Sequence, residues 1–346
     1  DAQARPAPTS YDDAPDTKSD DMFGDPQRFF RETPVTPAVP HSEFTGADGE
    51  PSSREITGGL PYLIHGNKSV IVATHAGLLA AIAARATAVW DMFAGAGTYT
   101  HTLARIGLVK PGSRLNEFEI PRAIANRQIK AAPEEVIAAM DALRARMYAE
   151  KLADNAAAHA WINAELRGQH EGHTYVDTAS SDPYGRLPML DTPETAALYL
   201  YVQAHIFGGR GIQAELIDGQ PTWVIDGNLP SNAEIAFIDK DGTTRLEDFR
   251  SSPQTAPAVI RAASARLANS EITSEDGWSA ALKAPAGALV FIDPSYWPST
   301  DQLAAGKKSV MNYGSLTSSD ADPRKAVAKI IALANRKDVT YVITNN

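Results

Sequence analysis

Ala88–Val89–Trp90–Asp91–Met92–Phe93–Ala94–Gly95–Ala96–Gly97 is the stretch that decides how the chain is to be read. Its apolar start predicts a short buried strand over 88–93. Its two glycines predict a sharp turn through which backbone can approach a ligand closely. A helix is expected from Thr98 to Ile106, so strand, glycine turn and helix follow one another directly. Taken alone, F-x-G-x-G also fits a plain tight turn. No Gly-Lys-Ser/Thr follows it, which argues against a triphosphate loop.

Working outward, Ile71 to Ala86 reads as an Ala-rich helix. Downstream come a turn at Lys110–Pro111–Gly112 and a strand from Arg114 to Phe118. A helix is predicted from Pro121, and a further one from Pro133 to about Leu166. Alternating strands and helices with short turns imply parallel pairing with crossover helices. The second strand delivers Glu117, with Glu119 on the same face by period two. Either acid is placed to accept hydrogen bonds from the ribose hydroxyls of a nucleoside cofactor.

A second buried strand, Ala288 to Ile292, runs into Asp293–Pro294–Ser295–Tyr296–Trp297–Pro298. An acid, a proline and two aromatics stand where α/β sheets place their sites, and Tyr296 or Trp297 could stack on a planar base. A helix over Arg324 to Asn335 and a strand over Val339 to Thr344 complete the pattern. The middle, 166–285, is mixed. It holds a helical stretch from Thr192 to Phe207 and strand-like pieces at 222–225 and 234–238, with turns expected at Gly219, Asp226–Gly227 and Asp241–Gly242. The expected architecture is α/β: a doubly wound, Rossmann-like sheet built from 59–165 and 286–346, interrupted by an inserted region over 166–285.

Composition narrows the chemistry. The 346 residues hold no cysteine, which excludes thiol nucleophiles and cysteine-ligated zinc. His65, His75 and His101 match no common ligand spacing, so no metal is expected. No apolar run reaches the ~20 residues of a membrane span, and a cytoplasmic protein that does not engage membranes is expected. The net charge is −10. Residues 1–58, rich in Pro, Ser and Asp, carry twelve acids and five bases, so −7 lies in that extended arm and −3 in the rest. An acidic total argues against nonspecific coating of nucleic acid, while a local basic face still suffices to grip DNA.

The order of these signals resembles the DNA adenine methylase family, over about residues 60 to 346. Pro61 to Lys68 is similar to the family's N-terminal cofactor motif ending in G-x-K, and Asp91 to Gly97 to its central cofactor loop. Leu115–Asn116–Glu117 is similar to its L-N-D strand, and Asp293–Pro294–Ser295–Tyr296 to its D-P-P-Y motif. The resemblance implies an S-adenosylmethionine-dependent enzyme that methylates N6 of an adenine flipped out of double-stranded DNA. It implies a catalytic set of Asp293, Pro294, Ser295 and Tyr296. It implies cofactor contacts from Tyr62, Gly66, Lys68, Asp91, Phe93, Gly95, Gly97, Glu117 and Asp276, and makes 166–285 the target-recognition domain. Ser295 stands where the family has a second proline, and Phe207–Gly208–Gly209 where it has F-N-G. These departures leave an alternative: a catalytically degenerate relative acting as a binding or structural subunit. The family fold continues past the position of Asn346 into an antiparallel hairpin. A second chain completing that sheet edge, or contacting the acidic arm, is the expected protein partner.

Overall fold

A computed structural model describes residues 60–62, 68–169, 189–217, 220–229, 236–238, 244–246, 255–294 and 323–344. All lie in a compact unit spanning His41–Asn346. The expected arm over 1–58, the turns at Gly219 and Asp241–Gly242, and Gly66, Ser295 and Tyr296 fall outside the described residues.

Five parallel strands form the central sheet: β1 (Val89–Asp91), β2 (Ser113–Asn116), β7 (Ser270–Thr273), β8 (Leu289–Ile292) and β9 (Thr340–Ile343). Their order is β7-β2-β1-β8-β9. Counted in chain order this is 3-2-1-4-5, so the chain builds outward on one side of β1 and then on the other. The sheet is α/β and compatible with a Rossmann-like fold. The reversal lies between β1 and β8, the place where such sheets open a crevice at their carboxyl ends. β1 and β8 are buried throughout, whereas the edge strand β9 is not. Central strands covered on both faces need continuous apolar runs, and Leu289–Val290–Phe291–Ile292 supplies one.

Each face has its own helices. Val89, Leu289 and Phe291 pack against α1 (Ser69–Thr74), α2 (Ala76–Arg85) and α3 (Thr98–Arg105) through Val72, Leu79, Ala83, Tyr99 and Leu103. Leu115 packs against α4 (Ile120–Ala131). Trp90, Met92, Val290 and Ile292 point the other way, toward α9 (Gly277–Leu282) and α10 (Pro323–Ala334). Alternate residues on β1 and β8 therefore serve opposite cores, as period two requires.

The long connection from β2 to β7 holds α4, α5 (Pro133–Ala149), α6 (Asn155–Gly168), α7 (Pro193–His205), the antiparallel pair β3 (Phe207–Ile217) and β4 (Gln220–Asn228), the pair β5 (Ala236–Ile238) and β6 (Thr244–Leu246), and α8 (Pro257–Leu267). Thr195 to Val202 of α7 are all buried, because the helix is wrapped by α4, α5 and β3. A helix apolar on every side belongs in a core.

Several expectations need correction. The single helix over 71–86 is two, parted at His75. Thr74 Oγ1 donates to the carbonyl of Val70, four residues back, a bond that bends helices. The helix expected to run from Pro133 to Leu166 breaks after Ala149. Lys151 turns left-handed with φ 48°, and Asp154 caps α6 by accepting from the Ala157 N–H at 2.8 Å. The 192–207 helix ends at His205, and Phe207 starts a strand. Asp226–Gly227 is no turn but part of β4. It lies where the register shifts between Phe207 and Gly211, and Gly227 takes the φ of 126° that this irregularity demands. Finally, β7 pairs with β2 and α8 packs on α3 and α4, so residues 255–285 sit with the central sheet rather than with an insert.

Candidate functional site

Three acids stand at the carboxyl ends of three adjacent strands. Asp91 ends β1 and lies level with Leu115 and Phe291 of its neighbours. Glu117 and Asp293 come two residues beyond those two, so alternation puts all three carboxyls on one sheet face. The glycine turn crosses the same edge between β1 and α3.

The turn is fastened from several directions. The Gly95 N–H donates to Glu117 Oε2 at 2.7 Å, and the Ala94 N–H to the Asn116 carbonyl at 3.0 Å. From below, the Tyr62 hydroxyl donates to the Gly95 carbonyl at 2.8 Å and itself accepts from Asn126 Nδ2 at 2.9 Å. Gly95 and Gly97 have φ of 54° and 71°, the left-handed region that side chains disfavour. A Cβ on Gly97 would meet Leu115 Cδ1 at 2.8 Å and His101 Cδ2 at 3.1 Å. Glycine is required there twice over, by φ and by space.

Glu117 is engaged at both oxygens, since Oε1 accepts from the Glu119 N–H at 3.0 Å. Arg122 reaches both acids, at 3.9 Å from Glu117 and 3.0 Å from Glu119, and donates from Nε to the Tyr199 hydroxyl at 3.1 Å. Burial works against its charge. Glu119, Tyr199 and Glu117 outweigh burial, and the guanidinium is held well above its ordinary range. Each carboxylate oxygen keeps a second lone pair, so Glu117 retains acceptor capacity for a ligand hydroxyl.

Asp91 is 1% exposed, and both its hydrogen bonds fall on Oδ2, from the Thr100 N–H at 3.4 Å and the Thr100 hydroxyl at 3.2 Å. Burial pushes its carboxyl up to about 7. The Thr100 bonds oppose that rise, and the charges of Asp293 and Glu117 add to it. Asp293 Oδ1 accepts from the Thr344 hydroxyl at 2.8 Å and pairs with the buried Lys68 ammonium at 3.2 Å. Burial raises its carboxyl too, against Lys68 and Thr344. Pro294 behind it is buried.

Of the sequence-predicted residues, Lys68, Asp91, Gly95, Gly97, Glu117 and Asp293 come together at this edge. Tyr62 lies beneath the turn, 1% exposed, with its ring edge-on to Tyr199 at 5.2 Å. Phe93 is half-buried and edge-on to Trp278 at 5.4 Å. Asp276 caps α9 by accepting from the Ser279 N–H at 2.8 Å. The next residue, Gly277, lies so close that a Cβ would stand 2.6 Å from the Met92 carbonyl oxygen. Asp276 is therefore at the rim of the same loop.

Sequence reasoning does not find Asn116, Asn126 or Thr344 as working residues. Asn116 ties three strand ends together. Its amide donates to the carbonyls of Met92 and Glu275 at 3.0 Å each, and its oxygen accepts from Thr273 Oγ1 and the Glu275 N–H at 2.8 Å each. The one available signal is an amide beside Leu115 at a strand end, a group that must find partners when buried. His101 is 2% exposed with both ring nitrogens unpartnered among the described residues, and burial lowers it to about 3. It is a neutral packing residue under Gly97. Among the described residues, no group of three or more His, Asp or Glu side chains is placed to hold a metal ion, and no helix is long and apolar enough to cross a membrane.

No protein-family model matches the chain, and no curated protein matches it significantly. The residues themselves therefore carry the functional reading.

Proposed function

We propose that this chain is an S-adenosylmethionine-dependent DNA methyltransferase acting on N6 of a flipped-out adenine. The observation that carries the reading is the convergence of the glycine turn, Glu117 and Asp293 at the carboxyl edge of β1, β2 and β8. That crevice is where sheets of this order take nucleoside ligands. The donor set fits such a group: left-handed glycines leave room for close approach, Glu117 offers acceptors to ribose hydroxyls, and Asp91 has an oxygen free for a cation.

When bound, S-adenosylmethionine supplies an electrophilic methyl group. The chain's own task is positioning. The target base leaves the duplex at a cost of a few kcal/mol. The Asp293 carboxylate and the Pro294 carbonyl accept hydrogen bonds from its exocyclic amine and orient the nitrogen lone pair. Lys68 opposes the rise that burial imposes on Asp293, and Thr344 fixes its rotamer. Preorganised polar groups of this kind supply the largest share of many rate enhancements.

The test is transfer of a labelled methyl group to unmodified DNA of mixed sequence. The expected product is N6-methyladenine, with incorporation lost in Asp293→Asn. Absence of label in DNA from the native protein, under conditions where it is folded, would reject the proposal.

A further inference from the structure

Among the described residues, the acids Asp91, Glu117, Glu119 and Asp293 stand at this edge with the cations Lys68 and Arg122. Lys68 is committed to Asp293, and Arg122 to Glu119 and Glu117. Asp91 lies between the neighbouring strand ends, where among the described residues no cation pairs with it and Oδ1 accepts no hydrogen bond. A carboxyl so deeply buried, beside two other acids, is more stable with its proton.

We propose that the ligand bound at this edge is a cation, and that Asp91 releases its proton to solvent as the ligand's positive charge takes the proton's place. This rests on the methyltransferase reading, which supplies the ligand: a sulfonium nucleoside with net charge +1 at neutral pH. The exchange is balanced, with one neutral carboxyl and one cation giving a carboxylate–cation pair and one proton in the buffer. No covalent bond changes other than O–H.

Thr100 of α3 bonds Asp91 directly, and the charges of Asp293 at the end of β8 and Glu117 at the end of β2 act on it; Lys68 pairs with Asp293, Arg122 with Glu117, and His101 follows Thr100 on α3. His101 is neutral throughout the relevant range, held low by burial. Asp293 is the other acid pushed up by burial and is the alternative source of a proton. The free carboxyl of Asp91 titrates near neutrality. Affinity for the cation therefore rises about tenfold per pH unit below about pH 7 and levels off above it.

Isothermal titration in buffers of different ionisation enthalpy reads the released proton directly. Native protein titrated with S-adenosylmethionine is expected to release close to one proton at about pH 6 and none at about pH 8.5. S-adenosylhomocysteine, which lacks the sulfonium charge, should release fewer. Asp91→Asn should bind S-adenosylmethionine with no buffer-dependent heat. Thr100→Val removes a bond that favours the carboxylate, so its proton release should persist to higher pH. This variant serves should Asp91→Asn not fold. Binding without buffer-dependent heat in the native protein, or undiminished release in Asp91→Asn, overturns the proposal while leaving the methyltransferase reading standing. Unaltered pH dependence in Thr100→Val also overturns it. No binding of either nucleoside to folded native protein removes both.

Discussion

Replacing Asp91 by Asn should make the ligand-free protein more stable in alkaline buffer and leave it nearly unchanged in acid. The carboxyl rises from its ordinary value of 3.8 to about 7, mainly because a group 1% exposed has lost its water. A raised folded-state value means that the fold holds the proton more tightly than the unfolded chain does. Stability from that preference is fully present below about pH 4. It drains away as pH climbs, and is gone above about pH 7. At ~1.4 kcal/mol for each tenfold change, ionising Asp91 in place costs about 4 kcal/mol. Asn mimics the protonated acid: its oxygen can accept from Thr100, and its amide replaces the O–H. Urea unfolding of native and variant protein at about pH 5 and about pH 8 measures the difference. The variant should gain roughly 4 kcal/mol on the native protein at the higher pH and only about 1.5–2 kcal/mol at the lower. An equal effect at both, or a loss at the higher pH, would refute burial as the cause.

Gly97→Ala forces a side chain into φ 71° and against Leu115, so it should cost about 2–3 kcal/mol, read as a lower urea midpoint. Tyr62→Phe leaves the Gly95 carbonyl and the Asn126 amide without a buried partner. The expected loss is ~2–4 kcal/mol together with weaker nucleoside binding, followed by unfolding and titration calorimetry. Lys68→Met strips Asp293 of its cation and should move the acid limb of the methyl-transfer pH profile upward, whereas Lys68→Arg should largely restore it.

The central strands were legible because their environment leaves marks in composition. Ala88 to Trp90 and Leu289 to Ile292 are apolar without interruption, since both faces of β1 and β8 are covered. The acids at their ends were legible because a carboxyl directly after such a run is out of place unless it is used. β7 left no such mark. Ser270–Glu271–Ile272–Thr273 lies at the sheet edge and is largely polar, so composition assigns it to the insert. The role of Asn116 was hidden for another reason: its partner Glu275 is 159 residues away, and no local pattern encodes a bond of that span. The same holds for Lys68 with Asp293. Helix breaks at His75 and at 150–154 depend on single side-chain bonds from Thr74 and Asp154, which average propensity over a window does not register.

The position of β1 at the middle of the sheet has a consequence for biosynthesis. It finds one neighbour soon, in Ser113–Asn116, but the other only two hundred residues further on, with Val89 opposite Leu289. At ~5–20 residues per second, a ribosome needs roughly 10–40 s to make that span. Throughout the interval the nascent crevice has one wall, with neither Asp293 nor the Thr344 hydroxyl yet made. A ligand that needs both walls of the crevice therefore cannot be held before Asp293 and Thr344 have been made.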